Sequence, residues 1–560
     1  MTYKYGIDFG TTNTSVAIGL PSKLGHVKPN VLLLDPASMW GPAEFMRSIF
    51  YIDARGSIHI GSDADNQMDL DEYAGRFSVD RYITQIKMSL DDGAFKTISV
   101  GGMRISSVML LTAMFKKLKE KADKFAYDKG ISLHGVVLGV PVSFSEENKH
   151  IYLQALCNAG YYRTMDEAVK QTEFVSEPVA VAINYGEKLV ANKRVMVFDY
   201  GGGTLDIAVI DLKEQIGKND KLHPHKVIGK SAGYNIGGER INKEFFINFF
   251  VPEYGLANIK AFLGISDYYL DTAEKLWAQM KNRSSGIKFA QQIDRCKRSL
   301  STNDTVIFTP PDIRSPGKKL RDLSVTREDF EEAVEQVFIE IDQVIKACLA
   351  DCENYVNANG VPEPVFPTKI SEVLLAGGSS LIPRVKDILA KYFDRNIIGK
   401  NAENKLLPEK EVLESIVRGL AIQGCKQNEV VEEVVDCAYG IGKGSDATFS
   451  EIIPRGTSLS SVATDIFNDR AGLCRSYTTG STDAATLVVK IMQRTYGVNN
   501  EKDKILKEIR IPLNDQTGYD FDIYLSIDKS TKMLTLKIYF AKKKSFVFLK
   551  PDQSQIKINL

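Results

Sequence analysis

Nowhere does the chain hold an uninterrupted apolar run near the ~20 residues that span a bilayer, so no membrane-crossing helix is expected. An excess of charge is missing too: lysine plus arginine equals aspartate plus glutamate at 71 each. No net field therefore draws the protein to nucleic acid or an anionic membrane, and partners must be recognised by local sites. Cysteine is sparse, and the seven residues (157, 296, 348, 352, 425, 437 and 474) are scattered and odd in number. The opening MTYKYGIDFG lacks the charged and then apolar regions of an export signal, so secretion is not expected. Cys348 and Cys352 are one helical turn apart, without the second pair that a zinc site needs. No Gly-x-x-x-x-Gly-Lys-Ser/Thr occurs, which removes the P-loop way of holding a nucleotide. A soluble cytoplasmic protein, with neither nucleic-acid nor membrane partners, is the expectation.

What is present is ordinary globular material, 44% hydrophobic and 25% charged over 560 residues, enough for several cores. Tyr5 to Phe9 and Ser15 to Leu20 read as two strands joined by a tight turn, and a comparable pattern returns at Val195 to Ile210. In both, an apolar pair leads to aspartate, an aromatic residue, glycine and then threonine: Gly6-Ile7-Asp8-Phe9-Gly10-Thr11-Thr12 and Val197-Phe198-Asp199-Tyr200-Gly201-Gly202-Gly203-Thr204. A repeat of this length is no solenoid, and two similar lobes facing one another explain it most simply. Gly135 to Pro141 is an apolar strand of the kind buried on both faces, followed by a helix with Glu146 and Glu147 near its start. A second helix opens at Glu177-Pro178. Thr326 and Asp329 make a capping-box start for a helix with Phe330, Val334, Val337, Ile341, Val344 and Leu349 on one face. Val373 to Ser380 reads as a strand entering a glycine turn, and a helix through Glu414 to Gln423 closes this large unit. From Cys437 to Leu560 the texture is of strands, at Leu487 to Met492, Phe521 to Ile527, Leu534 to Phe540 and Phe546 to Leu549.

Nucleotide phosphates need backbone N–H groups at close approach and a cation to offset their charge. Glycine supplies the approach because no Cβ intervenes. Each Asp-x-Gly turn presents amides and threonine hydroxyls, while Asp8 and Asp199 are placed to hold magnesium through its waters, which that ion gives up reluctantly. A single Asp-x-Gly is as readily a plain hairpin turn. Two copies in matching strands, joined by a later Gly-Gly-Ser-Ser turn, favour a phosphate clamp.

The segments GIDFGTTNTSVAI, VFDYGGGTLDIAVI, SEPVAVAINYG, LLAGGSSLIP and ESIVRGLAIQG resemble, in order, the five nucleotide-site elements of the actin, sugar kinase and heat-shock chaperone superfamily. More narrowly, GVVLGVPVSFSEENKHIYLQALCNAGY and IGGERIN resemble the heat shock protein 70 (DnaK-type) family over residues 1 to 425. The resemblance implies an α/β chain: a two-lobed actin-like ATPase domain with a duplicated ribonuclease-H-like fold over 1–425, an interdomain linker over 426–436, and a β-sandwich over 437–560. It implies ATP or ADP with Mg2+ as ligands and slow ATP hydrolysis. Asp8, Gly10, Thr11, Thr12 and Asn13 would form the first phosphate loop, and Asp199, Gly201, Gly202, Gly203, Thr204 and Asp206 the second. Gly237 and Gly238 follow it. Lys87 would reach the γ-phosphate, while Glu177 and Asp206 would place the attacking water. Asp294, Lys297, Arg298 and Ser301 would contact adenosine, with Gly377, Gly378 and Ser379 approaching from the other side. Without the family, Lys87 is a surface lysine, Glu177 a favourable acidic helix start, and Lys297-Arg298 a solvated helix face.

Three departures stand out. Leu381 replaces an arginine that stacks on adenine, Leu413 an acidic residue near the nucleotide, and Asp294 a glutamate; weaker nucleotide retention with surviving hydrolysis is expected. Glu432 and Glu433 interrupt a linker that is apolar in the family, so its docking is expected to be weaker. Ile452 to Thr457 and Val488 to Gln493 resemble strands of the family's peptide-gripping domain. That implies unfolded or extended peptide segments, or a dedicated client protein, as partners, with a co-chaperone besides. The sequence stops at Lys557 to Leu560 within or just after a strand, so no helical lid is expected. The rival readings are a small-molecule kinase, a filament-forming relative, and a nucleotide-gated scaffold with a fixed partner and little turnover.

Overall fold

The structure, a computed structural model, describes residues 3–558 except 23–25, 37–41, 92–96, 101, 142–145, 187–191, 213–224, 234–235, 267–268, 314–317, 356–361, 401–404, 426–430, 433–434, 436, 444–447, 458, 460, 464–471, 479–485, 497–500, 513–519, 528–533, 541–544 and 547–555. Most of the expected linker, the side chains of Glu146 and Glu147, and Val547 to Leu549 lie outside the described residues.

Two sheets share a related design, each with five strands along its main path, and the first also carries the short strand Met46–Arg47 beside Asn13 and Thr14. The first uses β1 (Tyr3–Phe9), β2 (Asn13–Pro21), β3 (Val27–Val31), β4 (Leu133–Val140) and β5 (Thr172–Ser176), in the order β5-β4-β1-β2-β3. The second uses β6 (Lys193–Tyr200), β7 (Leu205–Leu212), β8 (His225–Gly233), β9 (Glu372–Ala376) and β10 (Val431–Glu432), in the order β9-β6-β7-β8-β10. In each, an aspartate-bearing strand forms a hairpin with its successor and pairs in parallel with a strand from much later in the chain. Asp8 pairs Ser15 and Gly139, and Asp199 pairs Asp206 and Ala376. Strands buried on both faces read as near-continuous apolar runs, as β4, β6 and β7 do.

The helices include α1 (Ser62–Tyr73), α2 (Ile86–Asp91), α3 (Glu177–Gly186), α4 (Gly238–Phe245), α5 (Ser284–Leu300), α6 (Glu335–Glu353) and α7 (Glu409–Cys425), of which α2, α3, α4 and α5 carry expected site residues. Glycine lets α7 come close to its neighbours: a Cβ on Gly419 would lie 1.7 Å from the Ala180 carbonyl oxygen of α3, and one on Gly6 of β1 would lie 2.7 Å from the Ala421 nitrogen. The expected helix after Thr326 does begin with a capping box made with Asp329, but it breaks at Val334 (φ −113°, ψ 13°) and restarts as α6. Both pieces keep their apolar residues in one core, so the break leaves the buried face continuous.

Three large apolar clusters are separate. One surrounds the first sheet, with Phe9, Phe115 and Tyr152 meeting edge to face; another surrounds the second; the third lies wholly between Val435 and Ile538. This last core is shared by two antiparallel sheets. One is ordered Thr448–Ile453, Ala438–Lys443, Thr486–Tyr496, Glu501–Pro512; the other contains Leu473–Thr478, Asp520–Ile527 and Leu534–Phe540. Among the described residues, no helix is long and apolar enough to cross a membrane.

Candidate active site

The two Asp-x-Gly turns meet face to face. A Cβ on Gly202 would lie 2.0 Å from Thr12 Oγ1, and one on Gly203 would lie 2.7 Å from Thr11 Oγ1. A side chain at either glycine would have to displace these threonine side chains. Each turn is held from behind: Gly10 N–H donates to Asn13 O (3.0 Å) and Ser48 Oγ to Gly10 O (2.7 Å), while Gly201 N–H donates to Thr204 O (3.1 Å). Gly237, Gly238 and Glu239 donate their N–H groups to the carbonyls of Gly203, Gly201 and Gly202, which fixes the start of α4 to the second turn. Gly377 turns left-handed (φ 74°) directly behind Asp199, and Ser379 Oγ donates to Gly201 O (2.9 Å).

Beneath the turns lies a buried charge cluster. Asp8, Lys87, Glu177, Asp199 and Asp206 are each at most 9% exposed. Lys87 is thus no surface lysine; it pairs with Glu177, whose position at the first residue of α3 sets it beside β4 and β1. Thr204 Oγ1 donates to Asp206 Oδ2 at 2.8 Å. Burial, then the charge of Glu177, pushes the Asp8 carboxyl up to about 7 against the pull of Lys87. Burial, followed by Glu177, Asp206 and Asp8, raises Asp199 well above the ordinary range. Burial alone would lower Lys87, but attraction to Glu177 and Asp8 prevails and raises it.

Four carboxylates against one ammonium leave a local excess of negative charge that low-dielectric surroundings penalise, and a divalent cation would relieve it. Among the described residues, no three His, Cys, Asp or Glu side chains gather closely enough to hold a bare ion. Buried carboxylates are the hard oxygen acceptors through which a protein holds the waters of magnesium, so the chemistry of Asp8 and Asp199 fits that ion.

The expected adenosine residues gather at the neighbouring helix. Asp294 of α5 pairs with Lys297 (2.8 Å) and Arg298 (3.0 Å) and accepts from Asn242 Nδ2 (3.3 Å). Although burial opposes it, those two cations hold the Asp294 carboxyl well below its usual range. Lys297 is buried and donates to Gly238 O (3.1 Å), so it lies on no solvated face, while the Arg298 side chain stays 45% exposed. Ser301 sits just past the end of α5, one turn beyond Lys297, and its N–H donates to Arg298 O (3.2 Å). Leu413 lies against Gly378, and Leu381 packs partly buried on the second core. Ser48, Gln85, Glu239 and Asn242 are site neighbours that the sequence reading did not single out. Glu239 and Asn242 stood within the IGGERIN segment and Gln85 two residues before Lys87, but nothing local marks a side chain whose partner is far away in sequence.

Paired sheets of one design, each carrying an acidic hairpin, are the elements of an actin-like ATPase. A family model described as Hsp70 protein matches residues 76–472, and the chain belongs to the Hsp70 family. The match takes in Lys87, Glu177, the second hairpin and the first strands of the C-terminal unit; the hairpin at Asp8 precedes it. Members of the family are ATPases that bind ATP and ADP with Mg2+ and act on peptide or client substrates with co-chaperones.

Proposed function

We propose that this chain binds Mg·ATP between the two acidic hairpins, hydrolyses it slowly, and uses the nucleotide state to control peptide or protein binding by its C-terminal strands. In this reading residues 1–425 form a two-lobed nucleotide-binding domain, 426–436 link it to the rest, and 437–560 form a β-sandwich that grips an extended segment, in the cytoplasm. The observation that carries it is the meeting of the turns at Thr12 and Gly202 above the buried Lys87–Glu177 pair.

Hydrolysis requires an in-line water and neutralised charge more than covalent chemistry. Magnesium, when bound, offsets charge on the phosphate oxygens. The glycine turns would present N–H groups to the phosphates, and Asp8 and Asp199 would hold the cation through its waters. Lys87 neutralises charge growing on the transferred group. Thr204, held by Asp206, orients the attacking water with Glu177. Water oxygen bonds to the terminal phosphorus as the bridging oxygen leaves with ADP, and the proton released passes to the carboxylate cluster.

Coupling has a physical route. β10 pairs in parallel with His225 and Lys226 at the edge of the second sheet, although Glu432 interrupts its apolar character. Just beyond, Val435 exchanges main-chain bonds with Gly456 and Thr457, and the adjacent Arg455 reaches back to that sheet.

The test is ATP turnover with and without a short apolar peptide, in wild type and in Thr204→Val. The proposal predicts stimulation by peptide and a loss of about 10²-fold or more in the variant, by analogy with other transition-state donors. Turnover in wild type that the variant does not lower would contradict the assignment of the site. Turnover indifferent to peptide would favour a nucleotide-gated scaffold.

A further inference from the structure

Gln85 stands out among the described residues as the non-glycine whose backbone is left-handed, at φ 57°. It sits immediately before α2, two residues ahead of Lys87, and its carbonyl accepts from Ser89 N–H (3.1 Å) and Ser89 Oγ (3.2 Å), so its backbone sets the direction in which α2 starts. A strained residue at such a place persists only when its surroundings hold it. Gln85 Nε2 donates to Glu239 Oε2 at 2.9 Å across 154 residues of sequence. Glu239 is fixed in turn: its N–H donates to Gly202 O (2.8 Å), and its carboxylate takes Lys281 Nζ at 3.3 Å. One hydrogen bond thus joins the segment that starts the Lys87 helix to the turn that carries the second phosphate loop.

We propose that Gln85 is a positioning residue for Lys87, reporting closure of the two hairpins through Glu239. With the hairpins together, the bond to a carboxylate, stronger than a neutral one, holds Gln85 left-handed and keeps Lys87 on Glu177. When they part, the bond is lost, the backbone of Gln85 relaxes toward negative φ, and the first turn of α2 swings Lys87 out of the cluster. Lys87 therefore aligns only in the closed cleft, which confines hydrolysis to that state. The inference rests on the ATPase reading for its consequence, but the movement of Lys87 does not depend on turnover.

The test is Gln85→Glu, which keeps the length of the side chain and sets a carboxylate against that of Glu239. Amine acylation of the ligand-free full chain, read lysine by lysine by mass spectrometry, should show Lys87 labelled about tenfold faster, with surface lysines unchanged. Single-turnover hydrolysis should fall at least about tenfold, each factor of ten being one decade of barrier, while ADP affinity moves less than about threefold. Adding Glu239→Gln to Gln85→Glu restores an amide–carboxylate pair in reverse and should recover both readings; a merely structural defect would not be rescued this way. Unchanged Lys87 labelling in Gln85→Glu overturns the inference. A wild type that neither binds nor hydrolyses ATP overturns the ATPase reading instead, and the labelling still decides the role of Gln85.

Discussion

Arg455 and Asp351 form an ion pair, Nε to Oδ1 at 3.3 Å, that ties the loop after strand Thr448–Ile453 to the last turns of α6. The other ends of both groups meet at one residue of β8: Arg455 Nη2 donates to Lys230 O (2.6 Å), and Lys230 N–H donates to Asp351 Oδ2 (3.0 Å). β8 runs beside β7, which begins next to Thr204 and contains Asp206, so the clasp and the second phosphate loop share a sheet.

Arg455→Ala should leave the Asp351 carboxylate short of its cation, weakening this joint by about 1–3 kcal/mol. Peptide stimulation of ATP turnover is expected to fall, with ADP affinity changed by less than about threefold because Asp351 and Lys230, which Arg455 holds, are not nucleotide residues. Comparing stimulated and basal turnover with ADP calorimetry checks it; undiminished stimulation would remove the clasp from the coupling route.

Asp8 and Asp199 give the site a pH dependence with a definite sign. The Asp8 carboxyl is at about 7 in the folded, ligand-free protein against an ordinary 3.8, so over that window the folded state holds more protons than the unfolded. Stability of the ligand-free protein should therefore fall as pH rises from about 4 to about 7, and Asp199, also raised, adds to the fall. Cation binding favours the ionised form, so Mg·ADP affinity should rise across the same window and level off, with protons released. Calorimetry in buffers of different ionisation enthalpy reads that release, and Asp8→Asn separates it from titration of the phosphates. Equal proton release in the variant would exclude Asp8 as its source.

Gly419→Ala should disturb the crossing of α7 and α3, because the new methyl would fall 1.7 Å from the Ala180 carbonyl oxygen. The helices must separate, at a cost of about 1–3 kcal/mol or more. Chemical denaturation should show a lower midpoint, with Gly160→Ala, where a Cβ meets nothing within 4 Å but φ is positive, losing less.

The sequence displayed the hairpins and the apolar strands well, because turn chemistry and runs such as Val136 to Val140 are local properties. Lys87 and Lys297 were not legible as buried groups: their burial depends on Glu177 and Gly238, carboxylate and carbonyl partners far along the chain. Strand Glu501–Pro512 escaped notice for another reason. It pairs through Thr486–Tyr496 at the edge of its sheet and shows Lys504, Lys507 and Arg510 to solvent, the charged face by which edge strands avoid further pairing. The break at Val334 was hidden by an apolar spacing that continues straight through it.

The most direct test is titration calorimetry of ADP in the presence of Mg2+ on wild type and on Gly202→Val, whose Cβ would land 2.0 Å from Thr12 Oγ1 and force the hairpins apart. A phosphate clamp between the two turns predicts saturable uptake of one nucleotide by wild type and at least about a tenfold loss of affinity in the variant, some 1.4 kcal/mol. No uptake by wild type, or equal uptake by both proteins, would contradict it.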